Sequence, residues 1–159
     1  MTTKVALRGI KHVPSMSEET ECFSATVYID GEKRGTVGNR GCGGSDDFHP
    51  HGLEAELDAY AKTLPPHVSS YDKTILPMSA ELLVADLLGK ALDERMLKRQ
   101  CAKKTLFRVK GDPDGEYRQI KAPYGPKVVD YIFGKYGGPN VEILNETLKL
   151  GKLHEEKHA

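Results

Sequence analysis

The stretch from Phe23 to Ile29 constrains this chain more than any other. Phe23, Ala25, Val27 and Ile29 alternate with Ser24, Thr26 and Tyr28. That period of two puts apolar side chains on one face of an extended strand and polar ones on the other. Asp30-Gly31 follows at once, and these residue types tolerate the positive φ angles of a two-residue hairpin turn. Arg34-Gly35-Thr36-Val37 is therefore expected to return as the antiparallel partner. Val5 and Leu7, alternating with Ala6 and Arg8, mark a further strand within residues 4–13, and Pro14 to Glu21 reads as the loop between. The expectation is an N-terminal three-stranded antiparallel sheet.

Beyond it the period changes. Gly38 to Gly52 is a glycine-rich connection, and Leu53, Leu57, Tyr60/Ala61 and Leu64 then repeat at helical spacing until Pro65-Pro66 stops them. A polar loop is expected up to Pro77. Ser79 is suited to cap a long helix over residues 80–102, whose wide stripe of Leu83, Val84, Leu87, Leu88, Ala91 and Leu92 predicts a core position. Two short strands, 106–110 and 117–121, bracket Gly111-Asp112-Pro113-Asp114-Gly115, a strong turn signal. A helix over residues 127–136 follows, with Val128, Val129, Ile132 and Phe133 facing inward, then a strand over 141–144. A short helix through Leu148 and Leu153 is expected in the tail. The order predicts an α+β fold: the sheet, two helices, a β-hairpin-helix-strand unit and a short C-terminal helix. At 159 residues it suits a single domain, 1–159, with sheet and glycine-rich loop at 1–52, helices at 53–104, hairpin, helix and strand at 105–145, and a tail at 146–159.

Glu21-Cys22-Phe23-Ser24-Ala25-Thr26-Val27-Tyr28-Ile29-Asp30-Gly31, followed by Gly35-Thr36-Val37-Gly38-Asn39-Arg40-Gly41-Cys42-Gly43-Gly44, resembles a scattered group of small bacterial and phage proteins. That group shares an F-S-A-x strand, a D-G turn and an N-x-G-x-G-G loop. The resemblance covers the first third of the chain and extends loosely to the start of the long helix. It implies an accessory protein carried by phages or mobile elements, acting against a host or defence complex. Arg40 stands where the group's pattern would place an acid, so no carboxylate role carries over to that position.

Four constellations have chemistry to offer. Arg40, Gly41, Gly43 and Gly44 lie in a loop whose backbone N–H groups can form an anion-binding nest, with Arg40 as the cation. The spacing is neither a Walker A nor a dinucleotide fingerprint, and the plainer reading is a wide loop. Asp46, Asp47, His49 and His51 form the nucleus of a metal-dependent hydrolase or nuclease, with His49 and His51 as ligands and His12 or Cys42 as distant partners. Otherwise these acids complement the dipole of the next helix and the histidines are ordinary loop residues. Cys42, near two histidines, is either an activated thiolate or a small loop residue. Lastly, Lys98, Arg99, Lys103, Lys104, Arg108, Lys110, Arg118 and Lys121, interleaved with Tyr117 and Tyr124, suit a phosphate- and base-binding surface. The same residues suit docking to an acidic protein, or plain solvation.

Lysine plus arginine equals aspartate plus glutamate, 23 each. Such balance excludes a wholesale DNA mimic and a histone-like condenser while permitting a local patch. Three scattered cysteines without a C-x-x-C pair exclude a zinc ribbon, and no apolar stretch has membrane-span or signal length. The expectation is a cytoplasmic, non-enzymatic binding protein. It would hold a protein complex, nucleic acid or nucleotide through its basic patch, with no cofactor and no membrane contact. The metal-dependent hydrolase is the alternative.

Overall fold

The computed structural model describes residues 3–147. The chain is mixed α+β and divides between Ala91 and Leu92 into two compact units.

In the first unit, strands β1 (Val5–His12), β2 (Cys22–Ile29), β3 (Glu32–Arg40) and β4 (Asp47–His49) form one antiparallel sheet in chain order. Asp30 and Gly31 turn the central hairpin at φ +50° and +83°. The alternating residues of β2 divide as their polarity requires, with Phe23, Ala25, Val27 and Ile29 buried and Ser24 exposed. The sheet has four strands rather than the expected three. β4 pairs Thr36 with His49, Val37 with Phe48 and Gly38 with Asp47. Gly35 makes this close approach sterically possible, because a Cβ there would lie 1.9 Å from the His49 carbonyl oxygen. Three residues between a glycine-rich loop and Pro50 are too few to display a period.

Helix α1 (Leu53–Ala61) buries Leu53, Leu57 and Ala61. Its first turn carries Glu54 and Glu56, so those residues complement its dipole. Asp46 and Asp47 do not, since Asp47 belongs to β4. The expected polar loop contains a hairpin, β5 (His67–Val68) with β6 (Ile75–Leu76), closed by a turn in which Lys73 has φ +60°. Helix α2 (Ala80–Cys101) starts as its sequence predicts. Ser79 Oγ accepts from the Leu82 N–H at 3.2 Å, and Asp58 on α1 accepts from the Ala80 N–H at 2.6 Å. Two of the helix's orphan donors are thereby satisfied.

In the second unit, β7 (Thr105–Val109) lies between β8 (Arg118–Ile120) and β9 (Val141–Ile143), all antiparallel. The expected hairpin and last strand thus share one sheet, separate from that of the first unit. Helix α3 (Pro126–Tyr136) covers it, and Phe107, Ile132 and Ile143 form the centre of the core. Phe133, expected inward, is 39% exposed. It immediately follows the enclosed Ile132, and successive helical residues point about 100° apart. Residues 144–147 are helical, and the tail helix expected through Leu148 and Leu153 lies outside the described residues. Among the described residues no helix is long and apolar enough to cross a membrane.

Asn145, 4% exposed, and Thr105, with no exposed surface, are the buried polar side chains among the described residues of this unit. Asn145 Oδ1 accepts from the Leu106 N–H at 2.9 Å, while Nδ2 donates to the carbonyls of Cys101 (3.1 Å) and Lys104 (3.0 Å). One amide thus closes the end of α2 and aligns the start of β7.

Candidate functional site

The glycine-rich loop is built around Asn39 at the end of β3. Asn39 Oδ1 accepts from Thr20 Oγ1 at 2.7 Å and from the Gly41 N–H at 2.9 Å. Its Nδ2 donates to the Gly44 carbonyl at 3.1 Å and to Asp46 Oδ1 at 2.9 Å. The Gly41 carbonyl in turn receives the N–H groups of Glu18, Glu19 and Thr20. Gly41 has φ +85°, and a Cβ there would lie 2.2 Å from the Met16 carbonyl oxygen, so only glycine fits.

Two of the loop's glycine N–H groups, those of Gly41 and Gly43, are used internally. The Gly43 N–H donates to Thr20 Oγ1 at 3.3 Å, and the Glu19 carboxylate lies against Gly43, 2.3 Å from where its Cβ would be. Partial burial pushes the Asp46 carboxyl above its usual range; the Asn39 hydrogen bond pulls the other way, and Glu81, Asp47 and Glu54 add repulsion. Glu81 also accepts from the Asp46 N–H at 3.0 Å. Carboxylates thus crowd the loop, an environment that opposes a phosphate. Arg40 is exposed at its edge.

Asp47 and His49 stand on one exposed face of β4, two residues apart, and His51 is exposed in the turn before α1. His12 lies on β1, with Nε2 2.5 Å from Glu21 Oε2. That hydrogen bond is the main reason the Glu21 carboxyl sits below its ordinary value. The exposed Cys42 thiol donates to the Arg40 carbonyl at 3.9 Å. Among the described residues no group of three or more His, Cys, Asp or Glu side chains is placed to hold a metal ion.

The residues of the basic region all fall in the second unit, whereas the glycine-rich loop belongs to the first. Several of these cations are already engaged. Arg118 holds Asp112 in a two-pronged pair, Nε–Oδ2 at 3.0 Å and a terminal nitrogen to Oδ1 at 2.8 Å. This contact, more than any other, keeps the Asp112 carboxyl below its usual range. Asp112 Oδ2 also accepts from the Val109 N–H at 2.9 Å, tying the pair to the hairpin. Arg108 pairs with Asp114 at 3.1 Å and lies 5.8 Å from the Tyr117 ring centroid. Lys98 pairs with Glu94, and Lys104 donates to Gln119 at 3.1 Å. Arg99, Lys103, Lys110 and Lys121 are exposed, and their side chains have no ion pair among the described residues.

The polar side of α3 adds to this surface. The outward stripe of α3 carries Lys127, Tyr131 and Lys135 at successive helical turns, with Asp130 and Gly134 between them, all exposed. Tyr131 is 57% exposed. The Lys135 ammonium lies 5.8 Å from the Tyr131 ring centroid and 5.4 Å from that of Tyr136, and Arg118 lies 5.2 Å from the latter. The signal was legible as i, i+4, i+8 spacing on the polar side of α3.

Summed by unit, the neutral chain is polarised. Residues 1–91 carry 9 Lys and Arg against 13 Asp and Glu; residues 92–159 carry 14 against 10. No family model, no curated protein and no solved structure matches the chain.

Proposed function

We propose that this is a non-enzymatic binding protein whose second unit holds a polyanionic partner. The observation carrying this reading is the segregation of charge, with Arg99, Lys103, Lys110 and Lys121 exposed and without ion pairs among the described residues of the basic unit. Fields from such a surface concentrate anionic partners and release their counterions on contact. The cations held by Asp112, Asp114 and Glu94 shape the surface rather than supply free charge. The setting implied by the resemblance of Glu21–Gly31 and Gly35–Gly44, an accessory acting on a host or defence complex, belongs to the same proposal.

The test is retention on a polyanion. Wild-type protein is expected to bind heparin and inorganic polyphosphate at low salt, and Lys103→Glu with Lys121→Glu should weaken both at least tenfold while leaving the circular dichroism melt unchanged. A wild type that ignores every polyanion at 50 mM salt, or a folded double variant that binds as well as wild type, overturns the reading.

A further inference from the structure

We infer that the outward face of α3 is a stacking platform for single-stranded nucleic acid, an inference that rests on the polyanion reading and names the class of its ligand. Three observations converge. Tyr131 presents more than half of its surface to solvent in the middle of an otherwise amphipathic helix. Lys127 and Lys135 flank it one turn to either side, their backbone positions about 12 Å apart along the helix axis, and the Lys135 ammonium reaches back over one face of the ring, 5.8 Å from its centroid. Gly134 opens the approach, since nothing lies within 4 Å of where its Cβ would be.

A base has a flat π face to lay on an exposed ring, and its flanking phosphates carry the charge that the lysines seek. An acidic peptide satisfies the lysines but has no use for the ring. A paired duplex keeps its bases stacked on each other and offers only phosphates. Asp130 is the one acid on the stripe, and it spaces the phosphates away from the helix centre, where the ring sits. Phe133 and Tyr117, each 39% exposed, add further apolar faces in the same unit. Lys135, already between two tyrosine rings, is held rather than free to wander.

The experiment compares fluorescein-labelled dT12 with inorganic polyphosphate of equal charge, using full-length wild type, Tyr131→Ala and Tyr131→Phe. Tyr131 is exposed and outside the core, so neither substitution threatens folding. The expected result is tighter binding of dT12 than of polyphosphate, and a loss of roughly 5- to 160-fold for dT12 in Tyr131→Ala, corresponding to one stacked base. Tyr131→Phe should retain most of the affinity, and polyphosphate binding should not change in either variant. Equal affinity for dT12 and polyphosphate, no effect of Tyr131→Ala, or tighter binding of duplex or polyglutamate would overturn the stacking platform. The polyanion reading survives those results if Lys103→Glu with Lys121→Glu still weakens polyphosphate, so the two failures are distinguishable.

Discussion

Replacing Asn145 with alanine is expected to destabilise the second unit by about 3 kcal/mol. The amide makes three hydrogen bonds from a site 4% exposed. A hydrogen bond contributes a net ~1 kcal/mol, and a buried partner left unpaired loses ~1–3 kcal/mol. The Leu106 N–H, at the start of a buried strand, bears the larger share. The Cys101 and Lys104 carbonyls end a helix beside partly exposed residues and regain some solvation, which keeps the total near ~3 rather than above it. Urea denaturation followed by circular dichroism and tyrosine fluorescence reads the change; the chain has 7 Tyr and no Trp. At an m-value of ~1–3 kcal/mol/M the midpoint should fall by roughly 1–3 M. Asn145→Asp sharpens the test. Its carboxylate can still accept from Leu106, but its second oxygen faces two carbonyls. It should therefore be worse than alanine at pH 7 and recover as acid neutralises it, because a buried carboxylate with one oxygen facing only carbonyls binds its proton early. If both variants unfold within ~0.5 kcal/mol of wild type, the amide does not hold α2 to β7.

Further expectations follow from single contacts. Gly35→Ala puts a Cβ 1.9 Å from the His49 carbonyl oxygen and should destabilise by ~2 kcal/mol or more, read as a lower urea midpoint and faster hydrogen exchange across 47–49. Leu57→Ala, at a position with no exposed surface, should lose ~2–5 kcal/mol in the same denaturation assay. Glu21 and Asp112, held below their ordinary range by His12 and Arg118, stabilise the fold above the unfolded carboxylate pKa, and that stability is lost as pH falls below about 4. Asp46, raised chiefly by burial, acts in the opposite sense. Asp46→Asn should gain stability at pH 7 and show no gain at pH 3, as measured by paired melts. Iodoacetamide should label Cys42 first, because Cys22 is buried and partial burial raises the Cys101 thiol; peptide mapping checks the order.

The sequence made one kind of structure plain and hid another. β2 and β3 were legible because seven residues alternate without interruption before Asp30-Gly31, and α2 because Ser79 and a wide apolar stripe agree. β4, β5 and β6 have two or three residues each, too short for any period, and their pairing depends on neighbours distant in sequence. The basic patch is legible from its cations and interleaved tyrosines, without the acids that pair with them. Asp112 and Asp114 were visible as turn residues, but that they also hold Arg118 and Arg108 depends on which side of the hairpin each faces. The Lys127–Tyr131–Lys135 stripe was hidden for a different reason. The apolar period of an amphipathic helix defines only its buried side and carries no signal for the arrangement of its exposed one. Phe133 was placed inward on hydrophobicity, and the 100° step from Ile132 carries it out.

The most direct measurement is the salt dependence of dT12 binding to the full-length protein by fluorescence anisotropy. With Arg99, Lys103, Lys110, Lys121, Lys127 and Lys135 exposed and able to meet phosphates, log K should fall against log salt with a slope of about −4 for a single strand. Lys103→Glu with Lys121→Glu should flatten that slope by about a third. Absence of binding at 50 mM salt, or an affinity indifferent to salt, would contradict the account.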